Sequence, residues 1–446
     1  MTIERVAAQT FGPQALEKMK QDLLSCMRCG FCLPACPIYD QARTETNSPR
    51  GWLALTKAVV EDRHSPTRNF ARLVSNCLSC KACTAVCPPG VPIDDLILAA
   101  RALTASTRRA LSLKAALLRL AMGRPARMDR VLAPLRLYQR SGLQSVFRLL
   151  RVGRLVPSLF RELDHFVPRF ARRSGRKTIP GLTPAKGERK YRVGYFLSCM
   201  DAAVFPESAA ATVAVLSENG CEVVTPPAVA CCGMPSRAVG DLRTLRECIA
   251  WNTRLFEDAA VDAVIADCAT CGSMLKDYGH LAVDDPARER AENFSAQVID
   301  VSAFLAAIGW RQPRSLRQPL RITYHDPCHL NRAQGVREQP RRILQSVGAE
   351  LVEMEDADLC CGGAGSYSVT HLDLSLPILE RKTGNILATG APLVATGCPS
   401  CQMQLQAGVR RAGMLVPHSL GEGGQVGVIH PIVLLAQAYA AENADS

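Results

Sequence analysis

Two cysteine runs near the start of the chain constrain it more than any other feature of its 446 residues. The first is Cys26, Cys29, Cys32 and Cys36 followed by Pro37; the second is Cys77, Cys80, Cys83 and Cys87 followed by Pro88. Both have the spacing C-x2-C-x2-C-x3-C-P. Three thiols so close together converge on one point from a tight loop, while the fourth, beyond a turn, points elsewhere. Paired [4Fe-4S] clusters use this spacing, each run lending its last cysteine to the other cluster. The expected ligand sets are Cys26, Cys29, Cys32 and Cys87 for one cluster, and Cys77, Cys80, Cys83 and Cys36 for the other. Thiolates are the soft ligands that iron-sulfur clusters require, and no histidine replaces a cysteine in either run, so a Rieske-type centre is not indicated. Zinc sites commonly space their ligands as two pairs, which accounts poorly for two complete runs ending in proline.

The chain has 20 cysteines in all. A disulfide framework would need an oxidising compartment, yet charged residues are spread through the first twenty positions and no apolar signal segment interrupts them. No window approaches the ~18 consecutive apolar residues of a membrane span. The expectation is a cytoplasmic protein, at most peripheral on the inner face of the cytoplasmic membrane. At roughly 150 residues per domain the length implies about three domains. A hydrophobic fraction of 48% with 21% charged residues is that of a packed chain rather than a disordered one.

Four regions follow from the pattern. Residues 1–100 hold both cysteine runs, separated by a stretch that reads as a helix entered at Ser48 and Pro49. Residues 101–188 contain no cysteine and read as a connector of short amphipathic helices broken at Gly and Pro. Between Arg101 and Lys177 this connector carries 19 Lys or Arg against only Asp129, Glu162 and Asp164, which concentrates the net charge of +12. Such a face suits an anionic membrane surface, or else is a solvated connector packed on the flanking domains. Nucleic acid is not expected, since few aromatics are present to stack on bases.

From Tyr191 onward the sequence repeats itself. Cys199, Cys231 and Cys232 recur 129 residues later as Cys328, Cys360 and Cys361, and Cys268 and Cys271 recur 130 residues later as Cys398 and Cys401. Each copy, residues 189–316 and 317–446, alternates strands with helices, which implies a parallel sheet. Every repeated cysteine lies just past the end of an expected strand, where such sheets collect ligands. The fold class is therefore α/β overall: an α-helical two-cluster ferredoxin-like domain, a helical connector, and a duplicated βαβ domain.

This layout resembles the glycolate oxidase iron-sulfur subunit family and its relatives in anaerobic glycerol-3-phosphate and D-lactate dehydrogenases. The resemblance spans nearly the whole chain and is most specific around Cys29–Tyr39, Ser48–Glu61, Cys77–Val91 and the twin Cys-Cys-Gly motifs at Cys231–Gly233 and Cys360–Gly362. It implies a subunit of an oxidoreductase complex that takes electrons from an FAD-containing subunit and passes them toward a membrane quinone, without oxidising a hydroxyacid itself. The two copies also resemble the cysteine-rich domain of heterodisulfide reductase, which implies a non-cubane iron-sulfur cluster on five cysteines in each. Carried over, the sets are Cys199, Cys231, Cys232, Cys268 and Cys271, then Cys328, Cys360, Cys361, Cys398 and Cys401. Both are complete here, unlike the glycolate oxidase subunits that lack some of these cysteines.

Three readings of these ten cysteines stay open: non-cubane clusters, a four-ligand cluster or zinc, and metal-free thiols. Adjacent thiolates can bridge irons, and Gly233 lets the backbone turn close to a metal. If the copies act on a disulfide, Cys232 and Cys361 are the catalytic candidates; if they hold metal without redox function, they form a docking module. Cys221 and Cys248 fall outside the repeat and are expected in the core. His325, His329, His418 and His430 lie near cysteines or near the chain end, where histidine tunes a cluster, relays a proton or serves as an ordinary hydrogen-bonded structural residue. No dinucleotide fingerprint is present, so neither flavin nor nicotinamide is expected on this chain.

Overall fold

A computed structural model of the chain describes residues 3–107, 119, 125–141, 166–282, 286–313, 320–414 and 426–444. The N-terminal layer is all helix: Ile3–Phe11, Pro13–Leu24, Pro37–Ala42, Pro49–Val60, Arg68–Ser75, Ala82–Ala85 and Ile93–Thr107. Local chemistry sets their starts. Ser48 caps Pro49–Val60, its hydroxyl accepting from the Gly51 N–H at 3.0 Å, and Thr67 does the same for Arg68–Ser75 through Phe70 at 3.2 Å. Pro49 stands at the first helical position, where its missing N–H costs nothing. Trp52, Leu53, Val59, Phe70, Ile97 and Leu103 form a core that also takes in five of the eight N-terminal cysteines. The helix Ile93–Thr107 carries this layer past residue 100.

The C-terminal half holds two sheets. The first contains β1 (Leu182–Thr183), β2 (Tyr191–Tyr195), β3 (Cys221–Val224), β4 (Ala263–Ala266) and β5 (Val298–Asp300), ordered β1-β3-β2-β4-β5. All pairs are parallel except β1 with β3. The second contains β6 (Leu320–Tyr324), β7 (Ala349–Leu351), β8 (Leu393–Ala395) and β9 (Gly427–Ile429), parallel throughout in the order β7-β6-β8-β9. The α/β class with a duplicated parallel sheet is thus the observed one. Each copy has a strand beyond the three legible in the sequence, β5 and β9, which are three residues long and, unlike the other parallel strands, are followed by no cysteine motif that marks them.

Equivalent positions make equivalent bonds. Asp300 ends β5 and accepts from the Ser302 N–H at 2.8 Å, starting Val301–Ile308. His430 follows β9 and accepts from the Ile432 N–H at 3.2 Å, starting Pro431–Ala444. Val193, Tyr195, Ile322 and Tyr324 of the two central strands lie in one shared core, with Leu434 and Leu435 from the last helix. The two copies are therefore packed together through apolar burial rather than strung out along the chain.

Of the connector, residue 119, the helix Pro125–Arg140, which contains Pro134, and the segment after residue 166 are described. The remaining stretches of expected amphipathic helix, 108–118, 120–124 and 142–165, lie outside the described residues, as does His418. Among the described residues no helix is long and apolar enough to cross a membrane.

Candidate metal centres

All twenty cysteines are free thiols, so no disulfide framework exists. In the N-terminal layer they surround two cavities. Cys26, Cys29, Cys32 and Cys87 line one, together with Arg50, Leu53 and Ile93. Cys36, Cys77, Cys80 and Cys83 line the other, together with Trp52, Lys81 and Asp94. In each, the last cysteine of one run sits with the first three of the other.

The loops reach this arrangement by left-handed backbone at matching positions: Arg28 (φ 58°) and Gly30 (φ 89°) in the first run, Ser79 (φ 52°) and Lys81 (φ 60°) in the second. Such conformations cost energy for side-chain-bearing residues and persist where the surroundings enforce them. Arg50 donates to the Arg28 carbonyl at 3.4 Å, and Lys81 pairs with buried Asp94 at 2.8 Å. Backbone N–H groups already point at sulfur: Tyr39 to Cys36 at 3.4 Å and Ser79 to Cys77 at 3.3 Å.

The donor chemistry fits a cationic metal group. Burial pushes Cys32, Cys36, Cys77 and Cys83 above the usual thiol range, Cys77 to about 11, with neighbouring thiols adding to the push at Cys36 and Cys83. In the second cavity, where all four cysteines are buried, four thiolates require positive charge among them, which iron supplies and solvent cannot.

The ten repeated cysteines form a single series of neighbouring buried or half-buried thiols, each shifting the ionisation of the next. In the first copy Cys199 meets Cys231, Cys231 meets Cys232, Cys232 meets Cys271, and Cys271 meets Cys268. In the second, Cys328 meets Cys360, Cys360 meets Cys361, Cys361 meets Cys401, and Cys401 meets Cys398. Cys268 touches Cys398 and joins the copies, and Cys80 touches Cys360 and joins the second copy to the N-terminal layer. The second member of each Cys-Cys pair accepts two S–H bonds, which pulls Cys232 down to about 5 and Cys361 well below the thiol range. Cys221 and Cys248 are buried at 0% and 1% exposure and stand outside the series.

The helix Met234–Ala238 follows Gly233 directly, whereas Gly362 is followed by a turn and then Tyr367–Thr370. Cations that the sequence did not flag surround the thiols. Arg176 faces Cys199 and Cys231. Arg332 donates to the Cys80 carbonyl at 3.2 Å and the Asp358 carbonyl at 2.8 Å. Lys382 is fully buried near Cys360 and Cys361, bonded to the carbonyls of Asp356 and Ala357, and burial pulls it down to about 8.

Three buried histidines lie here, and two are satisfied. His329 bridges the Ser79 carbonyl through Nε2 at 3.0 Å and the Thr270 hydroxyl through Nδ1 at 3.3 Å, tying the N-terminal layer to both copies. His430 donates through Nε2 to the Asp267 carbonyl at 3.0 Å. His325 differs: neither ring nitrogen has a hydrogen-bond partner, and a ring nitrogen, Cys361 Sγ and Cys401 Sγ lie within 4.8 Å of one another. Burial holds its imidazole neutral, pushed down to about 3.

Paired thiol-lined cavities beside a duplicated ten-cysteine domain define an iron-sulfur protein. Residues 22–91 match the 4Fe-4S dicluster domain, residues 193–276 and 322–406 the cysteine-rich CCG domain, and residues 112–165 the linker region of the glycolate oxidase iron-sulfur subunit. The chain is 37% identical to the "Probable glycolate oxidase iron-sulfur subunit" of Bacillus subtilis (strain 168), over 95% of each chain. It is 27% identical to the glycolate oxidase iron-sulfur subunit of Escherichia coli (strain K12), over 89% of this chain and 95% of that one. A subunit of the fumarate reductase (CoM/CoB) of Methanothermobacter marburgensis is 28% identical over 97% of this chain and 75% of its own. The chain belongs to the glycolate oxidase iron-sulfur subunit family. Two [4Fe-4S] clusters belong to its dicluster domain, and the cysteine-rich domains offer sites for further ones.

Proposed function

We propose that this chain carries electrons from an FAD-containing dehydrogenase subunit, acting on glycolate or D-lactate, toward a quinone at the membrane surface. The unbroken series of thiol contacts from Cys80 through Cys360, Cys398 and Cys268 to Cys199 carries this reading. Oxidation of a 2-hydroxyacid to the 2-oxoacid releases two electrons and two protons to the flavin, and iron-sulfur clusters accept electrons singly.

In this reading Cys26, Cys29, Cys32 and Cys87 hold one [4Fe-4S] cluster and Cys77, Cys80, Cys83 and Cys36 the other. The two five-cysteine sets hold further clusters, with the second copy between the N-terminal layer and the first copy. The regions 1–100, 101–188, 189–316 and 317–446 then serve as cubane pair, connector and two terminal sites. Electrons arrive at the first cavity, where Cys29 is exposed and Leu24, Met27 and Phe31 stand 64%, 64% and 62% exposed around it as an apolar rim. Buried loops and cations hold the inner thiols away from water. The basic connector, apart from Arg101, Arg119 and Arg176, which are engaged within the protein, rests on anionic lipid at the inner face of the cytoplasmic membrane, with no nucleic acid involved. The purified chain alone is expected to oxidise no glycolate or D-lactate, whereas adding the flavoprotein should bleach its iron-sulfur absorbance on substrate addition. Oxidation by the chain alone contradicts the relay.

A second reading, reduction of a disulfide at the cysteine-rich domains, is favoured by the acidic thiols at Cys232 and Cys361. It predicts that chemically reduced protein turns over a disulfide substrate and that alanine at Cys232 or Cys361 abolishes this.

A further inference from the structure

The two copies correspond at the ends of their central strands, and one difference there has chemical consequence. Phe196 follows β2 and donates its N–H to the Ile265 carbonyl at 2.9 Å; His325 follows β6 and donates its N–H to the Ala395 carbonyl at 2.9 Å. The same backbone position thus carries an aromatic hydrocarbon in one copy and an imidazole in the other. In the first copy the ring has only a packing role, stacked on Phe256 at 6.1 Å. A packing role does not call for nitrogen.

His325 is fully buried, and the one backbone group that approaches its ring nitrogens, the Ala357 carbonyl, falls outside hydrogen-bond geometry. The Ala357 carbonyl, which faces the ring, is already engaged by the Asp326 N–H at 3.0 Å and Lys382 Nζ at 3.2 Å. Most buried polar atoms in folded proteins are paired, and a ring with both nitrogens unpaired that also faces two thiols is what a ligand awaiting its metal leaves. The ring nitrogen faces Cys361 Sγ and Cys401 Sγ, all three buried and within 4.8 Å of one another. Its neighbours His329 and His430 face the same region yet have each nitrogen satisfied, so want of partners is not general to histidine here.

We propose that His325 is a nitrogen ligand to the iron-sulfur group of the second cysteine-rich domain, which makes that site five thiolates and an imidazole where the first has thiolates alone. The proposal rests on the reading that the five-cysteine sets hold iron. A neutral imidazole replaces no thiolate and adds no negative charge, so the two sites carry the same ligand charge and differ in their donor atoms.

The test is pulsed electron paramagnetic resonance of the anaerobically purified full chain, with natural-abundance and 15N-histidine protein compared, alongside iron analysis. Above about eight irons per chain, the number two cubanes need, the signal of the second copy should show a directly bonded nitrogen whose splitting changes on labelling. That coupling should vanish in His325→Phe, the residue the first copy tolerates. A full iron load without label-sensitive coupling, or coupling that persists in His325→Phe, overturns the ligand. An iron content of only about eight overturns the reading beneath it, and the ligand falls with it.

Discussion

Asp300 and His430 occupy one structural position in the two copies and solve the same problem with different atoms. Each must accept a backbone N–H at a helix start, and each is buried. Asp300 does so with a carboxylate, which burial pushes up to about 7. Its unfolded value is near 3.9, so the folded state binds the proton more tightly. The stability contributed by protonated Asp300 is therefore complete below about pH 4 and is lost as the pH rises to about 7, a swing on the order of 4 kcal/mol. Asp300→Asn keeps an acceptor and removes the charge. Urea unfolding of this variant should lack that decline between pH 4 and 7; an unchanged pH profile would place the ionisation elsewhere. His430 uses Nδ1 for its helix and so has Nε2–H free for the Asp267 carbonyl of the other copy, a tie no sequence pattern would reveal.

At the scale of elements, the helix Pro49–Val60 shows how sequence writes a site. Its start is legible in Ser48 and Pro49, but the need for Gly51 is not. A Cβ there would stand 1.9 Å from the Glu45 carbonyl, in the turn whose Glu45 side chain pairs with Arg50 at 2.8 Å. Arg50 in turn braces the loop of the first cavity through the Arg28 carbonyl. Gly51→Ala should therefore destabilise the protein by about 1–3 kcal/mol through overpacking and lower iron occupancy at the first cavity. Unfolding and iron analysis check both, and wild-type values would show that the turn yields without cost.

The cysteine repeat was equally legible, since its offset of 129 needs no structure to detect. The alternation of strand and helix gave the parallel sheets. What the chain did not disclose were β5, β9 and the antiparallel edge β1, two or three residues each, and the different turns after Gly233 and Gly362. Elements of that length are placed by tertiary packing rather than by periodicity.

At the scale of the molecule, the arrangement of the three thiol-bearing bodies is the property least visible in sequence. Nothing in the spacing says that Cys80 lies against Cys360, 280 residues on, or that Cys268 lies against Cys398. A handful of long-range bonds hold the three bodies together: His329 to Ser79 and Tyr367 to the Asn76 carbonyl at 2.7 Å tie the second copy to the N-terminal layer, Arg237 to Asp95 at 2.8 Å ties the first, and His329 to Thr270 joins the copies. Charge compensation at the junction likewise comes from residues far apart in sequence, Arg176, Arg332 and Lys382. The thiols alone follow an asymmetric order, in which the second copy meets the N-terminal layer at Cys80 and Cys360 and the first copy's thiols meet the second's at Cys268 and Cys398.

That order is tested most directly by diffraction from anaerobically grown crystals at the iron absorption edge. Anomalous peaks are expected inside four thiol groups: one bounded by Cys26, Cys29, Cys32 and Cys87, one by Cys36, Cys77, Cys80 and Cys83, and one within each five-cysteine set. Iron confined to the N-terminal layer, or zinc in any of the four, would contradict it.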